Sequence, residues 1–168
     1  MTYKTYYRFA KAVEDDPNVE KNKAQLAIAR YASLHPHNLA QKTEVMVEQF
    51  RDHTRQKIGG RAKAMVVTRS RLHAVRYKQA FETYLKEQGY SDIGVLVAFS
   101  GTVIDDNQKF TEAGINGFSE TQLPEKFGGS DYHILIVAEK YQTGFDQPLL
   151  HTMFVDKTLV GLAAVQTL

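Results

Sequence analysis

Four short apolar runs that do not alternate with polar residues constrain this chain most. They are Ala64-Met65-Val66-Val67, Ile93 to Phe99, Ile134 to Ala138 and Thr152-Met153-Phe154-Val155. A strand with one wet face repeats every second residue, whereas a strand buried on both faces shows no such period. The runs are far shorter than the roughly 18–20 apolar residues needed to cross a bilayer. Helix-like segments separate them, and buried strands joined by helical crossovers predict an α/β fold with a parallel sheet. In such sheets, ligands meet the loops at the carboxyl ends of the strands.

The residues before the first run read as helices. Ala24, Ala27, Ile28, Tyr31 and Leu34 recur at helical spacing in a helix expected over 18–34. His35-Pro36-His37-Asn38 breaks it, and a second helix is expected from about Leu39 to Ile58, ended by Gly59-Gly60. Further on, Ser70 stands at an N-cap position before a helix whose inner face is Ala74, Tyr77, Phe81, Tyr84 and Leu85, with Gly89 as its stop. The stretch from Thr102 to Ser130 reads as a long polar connection containing a short helix at Leu123–Phe127, with Asp105-Asp106 as a solvated tip. At 168 residues the chain suits one compact domain, divided here into a helical lead-in, 1–62, and an α/β part, 63–168.

Charge narrows the partner class. Residues 1–90 hold 17 basic and 9 acidic side chains, and 91–168 hold 4 and 10, so a total of +2 conceals +8 against −6. Nine basic residues and the single acid Asp52 lie between Arg51 and Lys78. That asymmetry points to a polyanion meeting one part of the fold. With no cysteine, thiol catalysis and cysteine-ligated zinc are excluded. No G-x-x-x-x-G-K-[ST], G-x-G-x-x-G or G-x-S-x-G run is present, and His35 and His37 read as turn residues. Spacing alone reveals no catalytic and no metal-ligating set.

Three strand-end loops carry informative residues. Thr68-Arg69-Ser70-Arg71 offers hydroxyls, guanidinium groups and the free N–H groups of a helix start, all suited to a phosphate. A plain N-cap with solvated arginines is the alternative. Ser100-Gly101-Thr102 allows close backbone approach, or is simply a turn. In Glu139 to Pro148, Lys140, Tyr141 and Thr143 could reach a phosphate chain, while Gly144 offers close approach and Asp146 a carboxylate acceptor for a sugar hydroxyl; an ordinary strand–helix connection ending at Pro148 is the alternative.

Lys63 to Val75, Val97 to Thr102, Ile134 to Pro148 and His151 to Lys157 follow in this order. Together they resemble the second RecA-like (P-loop NTPase-type) domain of a superfamily-two helicase, specifically that of the restriction (R) subunit of type I restriction–modification enzymes. Gln142 to Met153 is the most specific stretch, and Leu34-His35-Pro36-His37-Asn38 resembles the segment preceding that domain. The resemblance implies that Lys63 to Arg71 is motif IV, with Thr68, Arg69, Ser70 and Arg71 along DNA. Ser100, Gly101 and Thr102 would bind a phosphate of the tracked strand. Glu139 to Asp146 would be motif V, with Lys140, Tyr141, Gln142 and Thr143 facing DNA, and Gly144 and Asp146 facing the ATP ribose. Ala138-Glu139 departs from the pattern, in which a threonine often follows the strand.

By the same resemblance, Ala164 to Leu168 leads toward the arginines of motif VI, which stabilise charge on a transferring phosphoryl group. The expectation is therefore a fragment of an ATP-dependent translocase and endonuclease subunit, inactive by itself and with no cofactor bound. ATP and Mg2+ would belong to the full subunit. Implied partners are double-stranded DNA, the first RecA-like domain of the same polypeptide, and the methylation and specificity subunits. No membrane association is expected, and the implied location is bacterial or archaeal cytoplasm. Two other readings are a stand-alone α/β binding module and the second motor domain of another superfamily-two helicase.

Overall fold

The computed structural model describes residues 21–141 and 145–157. The chain divides into two compact units, 1–42 and 43–168. In the first, helix α1 (Lys21–Ser33) ends at a tight corner. There the Ser33 hydroxyl donates to Arg30 O at 2.8 Å and Asn38 Nδ2 to Ala32 O at 3.3 Å. His35 Nδ1 accepts from His37 N, so both histidines serve the turn. Helix α2 (Pro36–Gln49) starts at the proline itself, where a missing N–H costs no intrahelical bond.

The single helix expected to reach Ile58 does not continue regularly. From Phe50 to Thr54 it widens into a π-turn, and Arg55 N donates to Phe50 O at 2.8 Å. The wider turn buries both Phe50 and Thr54, and the Thr54 hydroxyl lies 2.8 Å from that of Thr152. Ile58, Gly59 and Gly60 then take left-handed φ of 50°, 63° and 79°, which reverses the chain into the sheet.

All four apolar runs are strands. β1 (Lys63–Thr68), β2 (Val95–Ala98), β5 (Ile134–Val137) and β6 (Leu150–Asp156) form one parallel sheet in the order β2-β5-β1-β6. β1, β2 and β5 are buried at every position, as their lack of alternation requires. Met65, Val67, Leu96, Ala98, Leu135 and Val137 pack one face against Leu123 and Phe127. The alternate residues, such as Val66, Val97 and Ile136, are equally buried on the opposite face. Helix α3 (Arg71–Gln88) packs against β1, β2 and β5. Ser70 caps its start and Gly89, at φ 71°, closes its end, where Tyr90 N reaches back to Leu85 O. This is a mixed α/β fold with a helix-flanked parallel sheet, as RecA-like domains have.

The polar stretch after Phe99 is ordered structure, not an open connection. β3 (Thr102–Asp105) and β4 (Gln108–Thr111) form a hairpin. Its turn residues Asp106 and Asn107 both have positive φ, the geometry of a type I′ turn, for which Asp and Asn are favoured. Asp105 is not a solvated tip: its two oxygens accept from Arg76 Nε at 2.8 Å and Nη2 at 2.7 Å. Helix α4 (Glu112–Asn116), a 3-10 turn (Glu120–Gln122) and helix α5 (Leu123–Gly128) complete the segment. The expected helix at Leu123–Phe127 is α5, started by Pro124 and anchored by buried Leu123 and Phe127.

Candidate nucleic-acid interface

The carboxyl ends of β1 and β2 bring two of the expected loops together. Ser70 is extended (φ −156°, ψ 165°), and its hydroxyl sits 2.9 Å from His73 Nδ1 while accepting from His73 N. This cap fixes the first turn of α3 and aims Arg71 across the sheet edge. There Arg71 Nη1 donates to Ser100 O at 3.0 Å. Gly101, at φ 76°, turns the chain beneath that guanidinium, and a Cβ added to it would lie 3.2 Å from Arg71 Nη1. Arg69, Arg71, Ser100, Gly101 and Thr102 are exposed, so two guanidinium groups and two hydroxyls line one edge.

Thr68 is used differently. Its side chain is buried and its hydroxyl donates to Val137 O at 2.9 Å, tying β1 to β5. Beside it in register stands Asp156, at the end of β6. Asp156 accepts from the buried Tyr77 hydroxyl at 2.6 Å and lies 4.0 Å from Arg69 Nη2. Burial first, and then the bond to Asp156, push the Tyr77 phenol well above its usual range. Asp156 thus faces Arg69 at the sheet edge. No local pattern could have flagged the Tyr77–Asp156 bond, because its members are 79 residues apart.

Lys63, which opens the motif IV-like stretch, lies at the opposite end of β1. Its ammonium is buried and donates to Gly129 O and Tyr132 O, and burial pulls its pKa down. In the connection after β5, Glu139 and Tyr141 take left-handed φ of 59° and 60°. The Tyr141 ring packs against Phe145 with centroids 4.6 Å apart, and Phe145 packs on Phe127. Lys140 Nζ donates to Glu112 Oε2 and Glu120 Oε2, both at 2.9 Å. Burial opposes its charge, yet the bonds to Glu120 and Glu112 outweigh burial and raise its pKa. Asp146 is exposed past Phe145. Gln142, Thr143 and Gly144 lie outside the described residues.

Arg71 also stands out by elimination within the basic stretch. Arg51 and Arg55 pair with Asp92, Arg76 with Asp105, Lys78 with Glu82, and Lys63 is buried. Several cations between Arg51 and Lys78 are therefore engaged within the protein, Arg69 with Asp156 among them, and Arg69 and Arg71 both remain exposed. Among the described residues no helix is long and apolar enough to cross a membrane.

No family model matches the chain. Among curated proteins it is similar to the "Putative type I restriction enzyme MjaVIIP endonuclease subunit" of Methanocaldococcus jannaschii, at 30% identity over 148 residues and 80% of this chain. The likeness is a distant one. The chain spans 14% of that protein's length.

Proposed function

We propose that this chain is part of the DNA-translocating motor of a type I restriction endonuclease, with 63–168 as the second of two RecA-like domains. The observation that carries the reading is the Arg71–Ser100 bond. It sets the motif IV-like loop and the Ser100-Gly101-Thr102 loop on one edge, with Arg69 and Arg71 exposed beside a capped helix start. Guanidinium groups and backbone N–H groups at a helix N-terminus suit phosphate oxygens, and they position a protein on DNA without reading its sequence. The likeness to a restriction enzyme subunit supports the same role.

In this reading the connection from Glu139 to Asp146 carries a second contact. Asp146, an exposed carboxylate, suits a ribose hydroxyl on the nucleotide-facing side. ATP with Mg2+, held between two such domains, would supply the free energy for stepping. This chain contributes one wall of that cleft and no phosphate loop of its own, so by itself it binds DNA without hydrolysing ATP. Sequence recognition and methylation fall to partner subunits.

Fluorescence anisotropy of a labelled duplex tests the assignment. Replacing Arg69 and Arg71 together by alanine should weaken binding at least severalfold, since each guanidinium lost removes a phosphate contact. Unchanged affinity in that double variant would remove these loops from the DNA path.

A further inference from the structure

Glu112 occupies an unusual position in the segment between β2 and β5. Its side chain is 1% exposed, and both of its recorded bonds fall on one oxygen: Oε2 accepts from Phe99 N and from Lys140 Nζ, each at 2.9 Å. Oε1 is buried with no partner among the described residues. Phe99 immediately precedes Ser100-Gly101-Thr102, and Lys140 belongs to the connection after β5. One carboxylate oxygen therefore joins the roots of two strand-end loops that are 41 residues apart in sequence. Glu120 completes the arrangement by taking a second bond from Lys140, whose side chain is left 19% exposed.

We infer that Lys140 is an internal latch and not a phosphate ligand, and that Glu112 is the positioning residue that couples the two loops. The chemistry follows from burial. Burial already raises the pKa of Glu112 against the pull of Lys140, so were Lys140 to swing onto a phosphate, Glu112 would be left a buried charge without a counter-charge or would have to take up a proton, and either way the joint between the loops would be lost. Arg71, by contrast, is exposed and holds a neutral carbonyl, so a phosphate oxygen can replace Ser100 O without stranding a charge. The latch also explains how two left-handed non-glycine residues, Glu139 and Tyr141, are held on either side of Lys140.

This inference rests on the DNA reading for its first test and is independent of it for the second. In the first, the slope of log affinity against log salt is compared for wild type, Arg71→Ala and Lys140→Met. Arg71→Ala should flatten the slope by about 0.9, the value for one phosphate contact, and Lys140→Met should leave it unchanged. A flattening by Lys140→Met equal to that of Arg71→Ala would overturn the latch. The second test needs no DNA. A latched ammonium is shielded from solvent exchange, so Lys140 should give a resolved side-chain NMR signal in the free protein. That signal should be lost in Glu112→Gln/Glu120→Gln, where the amides can still accept hydrogen bonds but carry no charge. The Phe99 amide resonance should also shift in Lys140→Met. A Lys140 signal indistinguishable from those of solvated lysines, or a Phe99 amide unmoved by Lys140→Met, would refute the coupling. A wild-type salt slope near zero would defeat the DNA reading, and the NMR result would then decide the latch.

Discussion

Replacing Asp105 by asparagine should destabilise the protein at neutral pH and do so far less in acid. Asp105 accepts two bonds, at 2.7 and 2.8 Å, from Arg76 on α3, and this pair pins the β3–β4 hairpin to the helix that carries Arg71. The side chains are 28% and 12% exposed, so solvent screens part of the attraction. Charge-assisted bonds contribute roughly 1.5–3 kcal/mol when well shielded, and the partial exposure here reduces the expected loss to about 1–2 kcal/mol. The hydrogen bond from Arg76 is the main cause holding the Asp105 carboxyl below its ordinary range, against the opposing effect of burial. Because the folded-state pKa is depressed, the stabilisation is fully present above the unfolded value of about 3.9 and disappears as pH falls through the folded value. Urea titrations of wild type and Asp105→Asn at pH 7 and near pH 2.5 measure this directly. The difference between them should shrink strongly at the lower pH. An equal difference at both pH values would mean that the charge on Asp105 contributes nothing and would refute the reasoning.

Other substitutions probe the frame around the loops. Gly94→Ala places a Cβ 2.0 Å from Asp131 O, a backbone atom that cannot step aside, so the variant should lose several kcal/mol in urea or fail to accumulate folded. Phe127→Ala removes a fully buried ring that packs on Phe145 and on the apolar face of the sheet, and should cost about 3–5 kcal/mol in the same assay. Tyr77→Phe keeps the packing but withdraws the hydroxyl from Asp156, and should lower stability by about 1–3 kcal/mol.

What the sequence revealed and what it hid have physical causes. The runs of β1, β2 and β5 were legible because strands buried on both faces need continuous apolar residues, whereas the sheet-edge strand β6, expected to be buried alike, leaves His151 and Val155 exposed. Ser70 and Gly89 were legible because caps act locally. The β3–β4 hairpin was less visible: Asp106-Asn107 supplies its turn, but the flanking strands are short and exposed, with little apolar pattern. The π-turn at Phe50–Thr54 depends on burying Phe50 and Thr54 together, a tertiary demand with no local signature. Charge counting found the basic stretch but could not tell which cations were already paired. Asp92, Asp105 and Glu82 account for several of them, and two of these three acids come from the half of the chain with negative net charge. Lys140 looked like a strand-end cation because Glu112 and Glu120, its partners, lie 28 and 20 residues away. That Thr68–Arg71 and Ser100–Thr102 lie at carboxyl ends of a parallel sheet was legible, but the order β2-β5-β1-β6 and the Arg71–Ser100 bond that joins them are tertiary facts with no local signature.

The salt dependence of duplex binding by the wild-type chain tests the central claim most directly. An edge that places Arg69 and Arg71 on phosphates should give log affinity falling linearly with log salt, with a slope near −2 from about 0.9 per contact. A slope indistinguishable from zero would contradict the assignment of this edge to DNA.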